Sequence, residues 1–371
     1  MFNIFSFAKT KKNMREKFHT FDALRFFSFF LVFMSHLPYT LFPSLSFLKT
    51  KGDVGVYFFF GISGFLITYI IALEKKEKNT FDFKKYFIRR ILRIWPLYYF
   101  ILLFAFLTPH ILSFIGLSST NIGYEPNWLL SGLFLENYMI IYHNDFGNVS
   151  PLPVLWSLCI EEHFYIIWGI ALFFTKMNRI PYWILSIIII STISRVFFYQ
   201  NSLMFKEILT NFDYFMYGAI PAYLYVNYKE NTLEYIKNVP DLFKKGILLS
   251  TVIYVLSAAH FSFDYKQLID PILLGLLFSA VLFIILPKEN GFKIKDSNVF
   301  SKLGVYTYGL YVFHPIIINL SVQLYKKSGL QLSEINLFMV IFGFSIVCVT
   351  LASYVSYHLF EKHFLKLKSK F

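Results

Sequence analysis

Apolar runs of nearly twenty residues recur along the whole chain, separated by short polar segments. A helix needs about 20 mostly apolar residues to cross the hydrocarbon core of a bilayer. Ten stretches reach or approach that length: 21–41, 54–73, 94–107, 154–174, 181–199, 208–226, 246–260, 268–286, 304–324 and 337–360. An eleventh, 128–141, is too short to span and contains Gly132, Glu136 and Asn137, which reads as an interfacial or re-entrant segment. The expected fold class is all-α: a polytopic membrane protein with about ten transmembrane helices.

Composition agrees with that pattern. Of 371 residues, 56% are hydrophobic and only 15% charged, against about 25% in an ordinary soluble domain. A soluble enzyme and a disordered chain are both excluded. The net charge of +13 fits either nucleic-acid binding or the positive-inside rule, and the distribution decides. With ten spans, 27 Lys and Arg fall on the side of the termini and six on the other, while Arg25 and Arg195 lie within spans. Both termini are therefore expected in the cytoplasm. The domain reading is a basic cytoplasmic segment over 1–20, a transmembrane domain over 21–364 and a basic tail over 365–371. No cleavable signal peptide and no appended soluble domain are expected. Cys159 and Cys348 fall within spans, so a disulfide framework is not expected.

Ionisable side chains in membrane helices cost roughly 2.5–3.5 kcal/mol each on insertion scales and are functional candidates. Asp22 and Arg25 are three residues apart and can pair on one helix face. Arg25 and His36 are eleven apart, close to three turns, so they share a face with about 16 Å of rise between them. A snorkelling Arg and a hydrogen-bonded His account for the same residues. In LWSLCIEEHFYIIW, the adjacent Glu161 and Glu162 point to different faces, so at most one meets a given cavity. They read as an acid and base pair or as an interfacial pair. Ser63 lies in a glycine-rich run, GISGFL, that permits close helix approach. In YFIRRILRIWPLYY, Arg90 and Arg93 are one turn apart. They can grip a phosphate or serve topology and anionic lipid. His314 precedes Pro315, whose kink suits a cavity wall. Arg195, Asp213, His260 and Asp270 read as structural. No metal-site spacing or nucleotide fingerprint is present.

These segments together resemble the acyltransferase family 3 membrane proteins. FDALRFFSFFLVFMSH is similar to the family's opening, with D-x-x-R and R-x(10)-H at Asp22, Arg25 and His36. GVYFFFGISGFLI, YFIRRILRIWPLYY with its R-x-x-R pair at Arg90 and Arg93, and LWSLCIEEHFYIIW resemble the blocks that follow. FDYFMYGAIPAYL, YTYGLYVFHP and SYHLFEKHF, with Tyr357 and Glu361, resemble the later ones. The resemblance runs over about 21–364. Tyr57 stands where an acidic residue is frequent, and His163 where Gln is frequent.

The resemblance implies an O-acetyltransferase of the bacterial inner membrane. It would move an acetyl or other short acyl group from cytoplasmic acyl-CoA to a hydroxyl of a surface polysaccharide or its lipid-linked precursor, without metal or nucleic acid. His36 would act as general base or transient acyl carrier, and Arg25 would align the thioester. Glu161 would orient His36 or bind the sugar. Arg90 and Arg93 would hold the CoA phosphates, with Ser63 lining the donor cavity. Asp22, Glu162, His314 and Glu361 are the expected acceptor-side residues, His314 also lining the cavity. A proton-coupled transporter is the rival reading, although the paired broken helices of inverted repeats are not seen. A membrane scaffold or sensor is the third.

Overall fold

The computed structural model describes residues 16, 18–114, 123–287 and 291–370. Most of the basic segment expected over 1–20 lies outside the described residues. Fifteen α-helices are formed among them. They run α1 Thr20–Ser35, α2 Gly52–Lys78, α3 Phe83–Phe114, α4 Trp128–Gly132, α5 Glu136–His143, α6 Trp156–Phe174, α7 Ile180–Gln200 and α8 Phe212–Asn227. There follow α9 Lys229–Asn238, α10 Asp241–Ser257, α11 Lys266–Ile284, α12 Val299–Gly304, α13 Thr307–Ser328, α14 Glu334–Ser356 and α15 Lys362–Leu367. Each of the ten apolar stretches lies on a helix.

Six helical segments among the described residues are long and apolar enough to cross a membrane: Pro43–Lys78, Phe83–Phe114, Leu152–Phe174, Met177–Gln200, Lys266–Ile284 and Glu334–Leu367. The other four stretches form α1, α8, α10 and α13. The first three have 16, 16 and 17 residues, about 24–26 Å of rise. α13 is longer but carries His314, Lys326 and Lys327.

Local chemistry explains where the boundaries differ from the apolar runs. α1 stops at Ser35 rather than at 41, because Pro38 cannot continue it. Two 3₁₀ turns follow, Tyr39–Leu41 and Pro43–Leu48. His36 caps the end, its Nδ1 donating to the Val32 carbonyl at 2.8 Å, one of the carbonyls a helix terminus leaves free. The short stretch 128–141 forms α4 and α5 around Phe134 at φ +59°. Its Glu136 is fully buried and accepts from the Tyr124 and Ser131 hydroxyls. After α14 the chain makes one π-helical turn, Tyr357–Glu361, that carries Glu361 inward. Cys159 and Cys348 are free.

Helix α2 is the centre of the molecule. Of its apolar window 72% is buried, against 22% for the peripheral α14. It packs on α1, α6, α8 and α11. The α2–α8 crossing is backbone on backbone: a Cβ at Gly64 would lie 1.9 Å from the Phe215 carbonyl oxygen, and one at Gly218 would lie 1.8 Å from that of Gly61. Small residues are what permit such an approach between membrane helices.

Side chains tie the helix ends together and define two poles. At one pole Lys75 donates to the Leu172 and Thr175 carbonyls at the end of α6, and Lys76 donates to the Val226 carbonyl at the end of α8. At the other, Thr50 donates to the Leu31 carbonyl at 2.6 Å and Lys206 pairs with Asp53 at 2.9 Å. α1 runs from the first pole to the second, so Arg25 and His36 sit toward opposite ends.

Candidate active site

Four helices converge on a polar cavity inside this bundle. α1 supplies Arg25, α2 Ser63, α3 Arg90 and Arg93, and α6 Glu161 and Tyr165. Tyr308 and Tyr311 of α13 close it. The Tyr308 hydroxyl donates to the Ile94 carbonyl at 2.8 Å, which fixes α13 against α3.

The electrostatics of this cavity are unbalanced. Arg25 pairs with Asp22 at 2.6 Å. Arg90 is flanked by the rings of Tyr86 and Tyr165, at 5.9 and 5.8 Å from their centroids, and its buried Nε has no hydrogen-bond partner. Arg93 has no carboxylate within ion-pair distance among the described residues. Glu161 is engaged by the hydroxyls of Ser63 and Tyr165. With Arg25 paired to Asp22, the two guanidiniums of Arg90 and Arg93 share the lining with one carboxylate, that of Glu161. Guanidiniums without a carboxylate of their own offer an anionic ligand charge-assisted hydrogen bonds. Arg geometry favours phosphate and carboxylate forks in particular.

A second cavity, about 710 Å³, opens at the other pole. It is lined by His36, Lys49, Lys51, Asp53, Trp156 and Lys206 among others. Val56 and Tyr311 line both cavities, so the two share a wall there. The Tyr311 hydroxyl bonds the Val154 carbonyl at 3.0 Å and the Ser157 hydroxyl at 2.6 Å. A carbonyl only accepts, so the bond from His36 to Val32 puts the hydrogen on Nδ1. The Nε2 lone pair of this exposed ring is left for a substrate proton.

The sequence-derived residues divide accordingly. Arg25, Ser63, Arg90, Arg93 and Glu161 come together in the first cavity, and His36 lies in the second. The expectation that Glu161 orients His36 is corrected: the Val32 carbonyl holds the imidazole, while Glu161 is engaged by Ser63 and Tyr165. His314 is also corrected, for it lines neither cavity. It is fully buried behind His36, and its Nδ1 donates to the Tyr311 carbonyl at 2.6 Å. In a helix that carbonyl would receive the N–H of residue 315, which proline lacks. Asp22, Glu162 and Glu361 stand outside the lining too. Asp22 serves Arg25. Glu162, on the next face of α6, accepts from Trp95 Nε1 at 3.3 Å, and Glu361 accepts from the Ser356 hydroxyl at 3.0 Å.

Sequence reasoning missed Tyr165, Tyr308, Tyr311, Asp53 and Lys206. Tyr165 was accessible, since it lies four residues after Glu161 on one face. Lys206 had no signal, because its partner Asp53 is 153 positions away.

Comparison with known proteins points to O-acetyltransferases. The chain is 27% identical over 341 residues to the peptidoglycan O-acetyltransferase OatA of Listeria monocytogenes, covering 84% of this chain and 51% of that protein. It is 34% identical over 156 residues to the putative peptidoglycan O-acetyltransferase YrhL of Bacillus subtilis, covering 41% and 23%. A putative O-acetyltransferase of Staphylococcus aureus strain COL is 27% identical over 296 residues, covering 73% and 46%. The chain thus spans about half the length, or less, of these relatives. No solved structure matches. The profile of the acyltransferase domain matches residues 18–358. By that match, over nearly its whole length, the chain belongs to acyltransferase family 3.

Proposed function

We propose that this protein is an integral membrane O-acetyltransferase. It takes acetyl, or another short acyl group, from acyl-CoA on the cytoplasmic side and delivers it to a hydroxyl of a surface polysaccharide or its lipid-linked precursor. One observation carries the reading: an arginine-lined cavity and a histidine-bearing cavity lie on either side of a shared wall, Val56 and Tyr311. On a ten-span reading with both termini cytoplasmic, the arginine pole lies where CoA is available. The names of the relatives support a glycan acceptor.

In this mechanism Arg90 and Arg93 hold the CoA phosphates, and the pantetheine arm runs inward past Ser63. Arg25, about 16 Å from His36 along the same face of α1, aligns the CoA arm on its way inward. His36 Nε2 accepts the proton of the acceptor hydroxyl as its oxygen bonds to the carbonyl carbon. The carbon–sulfur bond then breaks, and the imidazolium returns the proton to the departing thiolate. Asp22 positions Arg25.

The test is reconstitution in proteoliposomes with acetyl-labelled acetyl-CoA and a glycan acceptor. Label bound covalently to the glycan supports transfer. Movement of label or glycan across the membrane without a covalent product would make the protein a transporter.

A further inference from the structure

In the proposed transfer the acyl carbonyl meets a hydroxyl beside His36, so it has to cross the wall between the two cavities. Among the described residues, only Val56 of α2 and Tyr311 of α13 line both. Their side chains are buried, with 4% and 6% exposed. The rest of each lining is separate: Arg25, Ser63, Arg90 and Arg93 stand on one side, His36 and Asp53 on the other.

The Tyr311 hydroxyl sits on the boundary itself, because its two partners lie one on each side. Ser157 lines the arginine cavity, and Val154 lines the His36 cavity. The Val154 carbonyl only accepts, so Tyr311 donates to it at 3.0 Å and accepts from the Ser157 hydroxyl at 2.6 Å. The backbone behind the ring is fixed, for its carbonyl receives His314 Nδ1 at 2.6 Å. What holds the ring across the boundary is therefore two neutral hydrogen bonds, each weak in net terms. Val56 faces the same boundary from α2. Its branched side chain keeps one strongly preferred rotamer in a helix, so it has no bond to release and little room to turn.

We propose that Tyr311 and Val56 form the partition that the acyl group crosses to reach His36, and that they determine which acyl groups are transferred. This inference rests on the acetyltransferase reading and adds the residues that set its donor range. The Tyr311 ring swings aside as its two bonds part, and the rigid Val56 limits the width that opens. Acetyl passes, and each added methylene of a longer chain meets Val56. One methylene too many in an apolar site costs about 10–200-fold.

The experiment uses the full chain in lipid nanodiscs. Acetyl-, propionyl- and butyryl-CoA are the donors, and solubilised peptidoglycan fragments or water the acceptor. Release of free CoA thiol gives kcat/KM for each donor, and calorimetry gives the affinity of each. The ratio between donors is taken within one sample, so a loss of folded protein cancels. The intact protein is expected to favour acetyl over butyryl by at least about tenfold in kcat/KM while binding the two alike. Val56→Ala should narrow that preference by about tenfold. Tyr311→Phe keeps the ring and loses both bonds, and should narrow it by about fivefold, the scale of one neutral hydrogen bond. Equal kcat/KM for the three donors with the intact protein overturns the proposal, and so does a ratio unmoved by Val56→Ala. A preference that appears in affinity as fully as in kcat/KM would place the selection in donor binding and overturn it too. Thiol release with unaltered ratios leaves the acetyltransferase reading standing. No thiol release from any donor, with intact protein or variant, counts against that reading, and the partition falls with it.

Discussion

The imidazole rings of His36 and His314 meet edge to face, with 4.8 Å between their centres. His36 is exposed at the end of α1, whereas His314 is wholly enclosed in α13. Each ring commits Nδ1 to a backbone carbonyl, of Val32 and of Tyr311 respectively. The base of the proposed reaction is therefore positioned twice, by its own helix and by a second ring behind it. The second ring is itself fixed by the gap that Pro315 leaves in the ladder of α13.

His314→Phe removes the donor to the Tyr311 carbonyl and is expected to destabilise the protein by about 1–3 kcal/mol, the penalty for an unmet buried acceptor. Pro315→Ala in the same chain returns a backbone N–H to that carbonyl. Thermal unfolding in detergent should show the double variant losing less than the sum of the two singles. Strict additivity would show that His314 does not serve that carbonyl.

Gly64→Ala should prevent α2 and α8 from closing, since the new Cβ would lie 1.9 Å from the Phe215 carbonyl oxygen. Gly246→Ala is the matched control, for a Cβ there meets nothing within 4 Å. Monodisperse yield on size exclusion should collapse for the first and hold for the second.

Arg93→Lys keeps the charge and loses the fork. If Arg93 grips a phosphate in two bonds, acetyl-CoA affinity should fall by about tenfold, because lysine offers a point charge in place of two aligned donors. Calorimetry on detergent-solubilised protein reads this directly. Unchanged affinity would assign the residue to topology and lipid contact.

Stability should also depend on Lys368, in the turn after α15. Burial, and then the neighbouring Arg93, Arg90 and Arg89, push its ammonium down to about 6. An unfolded lysine keeps its proton up to about pH 10.4, so between those values the unfolded chain binds more protons. Stability from this group therefore rises as pH rises from about 6 toward 10 and is lost as pH falls through that range. Lys368→Gln should flatten this slope in melting temperature against pH. An unaltered slope would show that Lys368 is free of the arginine cluster.

Much of the fold was readable because membrane helices are written in runs of apolar residues. All ten stretches proved helical, although Pro38 ended the first one early. The arginine-lined cavity was readable where residues share one helix: Arg90 with Arg93, and Asp22 with Arg25. Glu161 and Ser63 were found singly, but their contact joins positions 98 apart. The cavity at the other pole was hardly readable. Arg195 and Asp213 read as structural, and the packing of α7 on α8 pairs them in the core. His314 was expected in a cavity wall, yet the carbonyl freed by Pro315 draws it into the core.

The central claim is that His36 accepts the proton of a glycan hydroxyl during acetyl transfer. Mass spectrometry of surface glycans, from cells producing the protein or its His36→Ala variant at equal membrane levels, tests it most directly. The account predicts sugars carrying an added acetyl group with the intact protein and their loss in the variant. Equal acetylation in both strains would contradict it.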